Sequence, residues 1–445
     1  MGMVKKVIII GAAGRDFHTF NTKFKEDPDY EVVAFLATQL PGIGGRIYPP
    51  ELAGPRYPNG IPIYDRAEKP LAELARELEA DEAVLAYSDL EYRDVMEEAY
   101  EAFRSGLDFR LVNPLEVMLE AGRPVISVCA VRTGAGKSSV ARRVARILLG
   151  KGLRPVDVRH PMPYGDLRAQ VCQVFRTYED VEAQGCTIEE REEYEPMIRM
   201  GVPVLAGVDY GEVLRAAERE GDVIIWDGGN NDLPFIKPDL HIVVADPLRP
   251  GAELRAYPGA LNAMMADVLV VNKVNMADRG AVETVKRNLR ELNERAPIIE
   301  AESVVEVDRP ELVRGKKVLV VEDGPSVTHG HLGYGAGYVA ARELGAEIVD
   351  PKPYAVGVIK EAYEKYPHMR EVLPTIGYTG EQVRDLETTI NAVPCDAVLL
   401  GTLCDLAKMI RIEKPVAYVR YEIREITKPD LADIIGRFLA DKGLA

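Results

Sequence analysis

One stretch, SVCAVRTGAGKSSV at residues 127–140, restricts this chain more than any other. Its apolar start reads as a buried strand over 125–131, its middle as a glycine turn, and 137–150 as a helix. A strand, a glycine turn and a helix in that order form a phosphate-binding loop. The glycines let successive backbone N–H groups converge on phosphate oxygens, and the helix N-terminus adds partial positive charge. Lys137 is then expected to reach the β- and γ-phosphates, and the Ser138 hydroxyl to ligate Mg²⁺. The expected nucleotide-binding set is Thr133, Gly134, Ala135, Gly136, Lys137, Ser138 and Ser139. The first glycine of GxxxxGK[ST] is replaced by Val131. Arg132 stands where the deviant-Walker branch of P-loop proteins carries a second lysine.

A P-loop needs a carboxylate for the magnesium shell, usually after a later apolar strand. The run DVIIWDGG supplies Asp227 at the C-terminal end of such a strand, where ligands of open α/β sheets sit. Asp157, ending the strand after the P-loop helix, is a second candidate metal ligand or simply a turn residue. The run VLVVNKVN resembles the NKxD base-recognition strand of GTPases, with Asn272 and Lys273 placed to frame the base. Asn275 stands where the Asp would be, and a neutral amide cannot accept both guanine hydrogen bonds. ATP is therefore the expected nucleotide.

A chain of 445 residues suggests roughly three domains at about 150 residues each. Hydrophobic residues at 47% and charged residues at 28% exclude a largely disordered or fibrous chain. A net charge of −16 argues against a nonspecific grip on nucleic acid or an anionic membrane. No run reaches the roughly 18 apolar residues of a membrane span, and the opening strand is too short for a signal-peptide core. Five scattered cysteines without a CxxC pair point to a reducing cytoplasm and to neither disulfides nor zinc. Scarce Gln among many Glu, Arg and Pro leans towards a thermophile.

Strands alternating with helical stretches mark βαβ units and parallel sheets. The expected fold is α/β: a Rossmann-like N-terminal domain over 1–122, a P-loop NTPase domain with a doubly wound, mostly parallel sheet over 123–315, and a C-terminal α/β region over 316–445. That last region is either separate or completes the second sheet. In the first block, strands are expected over 6–10, 31–37 and 83–87, a Gly- and Pro-rich loop over 41–62, and a helix stripe at Met96, Ala99, Tyr100 and Phe103. A polar helix is expected to close the chain. The turn Gly11-Ala12-Ala13-Gly14 breaks the GxGxxG fingerprint at Ala13 and lacks an acidic partner, so it reads as a strand-to-helix crossover and not an NAD site.

Arg159, His160 and Arg168 come after the P-loop helix in a switch-like position. All three suit the phosphates of a second substrate, the two arginines through their guanidinium forks; alternatively the arginines pair with the acidic run over 179–195. Arg249, after another central strand, also faces the nucleotide edge. In the third block SVTHGHLGYG joins glycines to His329 and His331, which suit anion binding or proton transfer. No further Cys or His at ligand spacing supports zinc there.

Taken together, GAAGRDFHTFN, VRTGAGKSS, RHPMPYG, WDGGNND, RPGAE, VNK and EDGPSVTHGHLGYGAG resemble the cyclic 2,3-diphosphoglycerate synthetases of archaea along nearly the whole chain. The resemblance implies ATP-dependent closure of an intramolecular phosphoanhydride in 2,3-bisphosphoglycerate, giving ADP and phosphate. Under that reading Lys137, Mg²⁺ and Arg132 stabilise the transferring phosphoryl. Arg159, His160, Arg249, His329 and His331 then hold the anionic intermediate. A homodimer is expected by analogy with the same branch. The alternatives are a P-loop GTPase or ATPase acting as a switch or chaperone without a small phosphorylated cosubstrate, and a dinucleotide-binding oxidoreductase built on the first block.

Overall fold

In the computed structural model the described residues are 4–444, apart from 13, 39–42, 163–164, 230–231, 329–331 and 378. Among them, two large sheets of six and thirteen strands carry the architecture, an α/β fold with mostly parallel pairing. The smaller sheet runs in the order Arg46–Tyr48, Ile61–Asp65, Tyr30–Ala37, Lys5–Ile10, Glu82–Leu85, Asp108–Leu111. Only the edge pair Arg46–Tyr48 with Ile61–Asp65 is antiparallel. Its strands are apolar on both faces because both faces are covered: Phe17, Phe20 and Tyr48 pack on one, Leu71, Leu74 and Val95 on the other.

Two expectations for this sheet need correction. The stretch 41–62 is not one long loop. It holds the strand Arg46–Tyr48 and the helix Pro50–Ala53, both too short to leave a periodic signal. The helix Tyr92–Arg104 forms as expected, but it turns Val95, Ala99 and Ala102 inward. Met96, Tyr100 and Phe103 are 47%, 58% and 57% exposed. Small inward side chains let the helix lie close to the sheet, which leaves the bulky ones no room on that side.

The large sheet is ordered Gln173–Phe175, Val204–Ala206, Pro155–Val158, Val223–Trp226, Val125–Ala130, Leu240–Ala245, Val268–Val271, Ile298–Val307, Val416–Glu425, Ala397–Leu400, Lys317–Glu322, Glu347–Ile348, with Leu373–Pro374 also on Lys317–Glu322. Strands contributed after residue 316 therefore extend the P-loop sheet. Ile298–Val307 pairs parallel with Val268–Val271 through residues 298–300 and antiparallel with Val416–Glu425 through 301–307. Val416–Glu425 in turn pairs parallel with Ala397–Leu400 through 416–418. The sheet thus has two parallel halves running in opposite senses, and a two-stranded ribbon separates them. At about 3.3 Å per residue the ribbon opens a gap of roughly 20 Å. The C-terminal strand ends of both halves point into it, and those ends are where α/β sheets bind ligands.

The helix Ile188–Ile198 crosses this gap. The closing helix Leu431–Asp441 is amphipathic and not polar. Leu431, Ile434, Ile435, Phe438 and Leu439 pack into one core with Val140, Val144, Ala145 and Leu148 of the P-loop helix Lys137–Gly150. No helix among the described residues is long and apolar enough to cross a membrane.

Candidate active site

The loop between Val125–Ala130 and Lys137–Gly150 takes the expected strand–turn–helix form. Gly136 caps the helix at φ 102°, a left-handed conformation, and a Cβ there would lie 2.1 Å from Asn272 Nδ2. Only glycine satisfies both demands. Three side chains brace the loop from behind. Asn272 Nδ2 donates to the Ala135 carbonyl at 3.0 Å, Lys273 Nζ to the Gly134 carbonyl at 2.5 Å, and Arg249 Nη2 to the Thr133 carbonyl at 2.8 Å. Arg249 also pairs with Asp246 at 3.0 Å. Desolvation lowers the Lys273 ammonium against the pull of Asp246. Asn275 exchanges two hydrogen bonds with the Ser303 backbone, so it joins neighbouring segments of chain.

In front of the loop lies a buried charge cluster. Lys137 Nζ donates to Asp227 Oδ1 at 2.5 Å, and Arg159 pairs with Asp227 Oδ2 and, at 2.6 Å, with Glu193. Burial works to raise Asp227, but Arg159 and Lys137 outweigh it and hold the carboxyl below the usual range. Asp157 on the neighbouring strand is wholly buried, and no donor reaches either of its oxygens. Burial, then the Asp227 charge, pushes it well above the usual range. The expected arginine pairing with the acidic run is thus realised for Arg159 through Glu193, inside the protein and not on its surface. Arg168 is an exposed side chain paired with Asp166 at 3.0 Å. With Arg46, Glu51 and Asn59 it lines a separate cavity of about 580 Å³ with no P-loop residue in its wall. His329 and His331 lie outside the described residues.

The first sheet reaches into this site, an arrangement that no local pattern in the sequence signals. His160 is clamped between two glycines: a Cβ on Gly14 would lie 2.4 Å from its Nε2, and one on Gly229 2.9 Å from its Cβ. Gly14, between the first strand and the helix Arg15–Thr19, therefore also supports His160. Burial lowers the His160 imidazole, partly countered by Asp232, and Asp232 is itself paired with Arg15 at 3.0 Å. Asp89, at φ 67°, accepts the Thr133 backbone N–H and faces Arg132 and Arg249. Although solvent touches it, desolvation raises its carboxyl. Pairing of Leu90–Glu91 with Ala256–Tyr257 fixes its position. A non-glycine residue in that conformation is uncommon and tolerated best by Asp and Asn, a signal no sequence pattern displays.

Across the gap, the C-terminal ends of the other half collect Glu322, Asp323, Thr375 and Thr402. Glu192 joins them from the crossing helix, accepting from Thr375 Oγ1 at 2.6 Å and from Thr402 Oγ1. Consecutive residues of one helix, Glu192 and Glu193, so reach opposite halves of the sheet.

No family model matches the chain. It is 53% identical over 432 residues to an arginine synthetase, ArcE, of Thermococcus kodakarensis, covering 97% of this chain and 96% of that protein. It is 28% identical over 321 residues to a cyclic 2,3-diphosphoglycerate synthetase of Rubrobacter xylanophilus, covering 63% of this chain and 71% of that one. Among solved structures, LpxK of Aquifex aeolicus in complex with ATP is similar at a TM-score of 0.47 and 15% identity, over 78% of this chain and 95% of that one. That likeness is too loose to bear on chemistry.

Proposed function

The chain belongs to the family of the Thermococcus kodakarensis arginine synthetase, and from this we propose that it is an ATP-dependent synthetase with arginine as its product. The observation that carries the choice of substrate is the charge of the site. An intermediate derived from 2,3-bisphosphoglycerate is a dense polyanion and needs uncommitted cations. Arg159 is locked between Asp227 and Glu193, Arg249 is tied to Asp246, and Arg168 lines another cavity. Asp157, Glu192 and Asp323, none with a cationic partner among the described residues, instead make the gap acidic, which suits a substrate with cationic groups. The phosphoanhydride reaction implied by the cyclic 2,3-diphosphoglycerate synthetases is the second reading, supported by the 28% identity.

The chemistry is dictated by the bonds of the product. Arginine's guanidinium carbon carries three nitrogens, and forming the last C–N bond from a ureido precursor requires the oxygen to leave. The ureido oxygen attacks the γ-phosphorus of ATP, and the bond to ADP breaks. An amine then adds to the carbon, phosphate departs with that oxygen, and the amine loses protons to nearby base. Lys137 and the loop N–H groups hold the phosphates in line, and Arg132 offsets charge on the transferring group.

Asp157, with two buried oxygens and no donor, and the Ser138 hydroxyl form a hard-oxygen set that fits Mg²⁺. Asp227, expected in that role from its place in the sequence, has both oxygens taken by Lys137 and Arg159. When bound, the ion neutralises charge between the phosphates.

The test supplies Mg-ATP with either the ureido analogue of arginine plus ammonium chloride or 2,3-bisphosphoglycerate. Arginine and ADP in the first arm alone are the expected result. New anhydride phosphorus resonances in the second arm, with no arginine in the first, overturn the choice of product. Lys137→Ala should lower ADP formation by about 10²-fold or more and leave the circular dichroism spectrum unchanged.

A further inference from the structure

We propose that Glu192 and Asp323 form the seat for an ammonium group of the amino-acid substrate, across the gap from the P-loop. The inference rests on the arginine reading above and adds to it where the substrate is held.

Three neighbouring carboxylates on the crossing helix have unequal surroundings. Glu193 is paired with Arg159 at 2.6 Å, and Glu195 with Arg191 at 3.2 Å. Glu192, only 5% exposed, has no cationic partner among the described residues. Its Oε1 takes the Thr375 and Thr402 hydroxyls, while no donor reaches Oε2. The neighbour of that carboxyl is a second acid, Asp323, whose Oδ2 accepts from the Ser326 backbone N–H at 3.1 Å and from its hydroxyl.

A buried carboxylate beside another carboxylate is unfavourable unless something positive or a shared proton lies between them. Burial, and then Asp323, pushes Glu192 well above its usual range, and no cation lies between the two acids among the described residues. An ammonium group supplies the N–H donors that Oε2 lacks and a full positive charge between the two acids. Among the described residues no three carboxylate, His or Cys side chains are grouped to hold a metal ion.

The position serves the chemistry. Tyr421, on the ribbon that spans the gap, lies against Arg142 of the P-loop helix at 5.5 Å and senses Asp323, Glu192 and Glu322. An ammonium group held at Glu192 and Asp323 therefore lies near Tyr421, the ribbon residue that also contacts the P-loop helix.

Calorimetry of the full chain with Mg-ADP present tests this with two probes, L-arginine and Nα-acetyl-L-arginine, which lacks the α-ammonium. Wild-type protein should prefer L-arginine by about tenfold or more, the worth of one charged hydrogen bond. Glu192→Gln and Asp323→Asn should each erase that preference, with Mg-ADP affinity unchanged as the control for folding. Variants that keep the wild-type preference overturn the seat while leaving the arginine reading in place. Wild-type protein that binds neither probe overturns the arginine reading and the seat with it.

Discussion

Glu322 is fully buried at the end of its strand and accepts three backbone N–H groups, from Gly335, Gly337 and Tyr338, at 3.1, 3.2 and 2.7 Å. Those donors favour its charge, yet burial prevails and, with Asp323 alongside, pushes it from 4.5 up to about 7. Tyr421 is a titratable group that feels its charge. Below 4.5 the carboxyl is protonated in folded and unfolded chains alike, and its contribution to stability is fully present. As pH rises through about 7 the folded chain must ionise a buried group, and on the order of 3 kcal/mol is lost. Glu322→Gln should therefore flatten the pH dependence of urea unfolding between 4.5 and about 7 relative to wild type. An unchanged slope would place the effect on another group. At this scale the strand–turn–helix form around Gly136, Lys137 and Ser138 was legible, because it is local in sequence. Asp89, Glu192 and Glu193 were not, because their partners lie on elements remote along the chain.

Helices and strands of the P-loop region were legible where apolar periodicity is strong. The helix Lys137–Gly150 and the strands Pro155–Val158, Val223–Trp226 and Val268–Val271 fall where the pattern places them. Short elements such as Gln173–Phe175 and Arg46–Tyr48 carry no such signal and form because a sheet edge is there to pair with. The closing helix gains its stability by docking, since its apolar face enters the P-loop core. Ile435 is fully buried there, so Ile435→Ala should cost about 2–5 kcal/mol in urea unfolding. A change within about 0.5 kcal/mol, typical of a surface position, would mean that the helix does not dock.

The large sheet makes residues 123–315 dependent on the C-terminal region. Its ribbon needs Val416–Glu425, and the P-loop helix needs the closing helix to cover it. A fragment of residues 123–315 should show no cooperative thermal transition by circular dichroism. A sharp transition in that fragment would mark the P-loop region as an independent folding unit.

Amino-acid order was enough wherever the physics is local. A glycine turn between a strand and a helix takes the P-loop form, and alternating elements make mostly parallel sheets. The roles of the arginines came from tertiary contacts instead. Arg159 and Arg249 read as phosphate ligands, but the fold surrounds them with Asp227, Glu193 and Asp246, because distant carboxylates arrive on neighbouring strand ends and on one crossing helix. The confrontation of the two parallel halves is likewise a product of assembly. Their relative sense depends on a single antiparallel pairing between strands more than a hundred residues apart, and no periodicity within either strand records its partner.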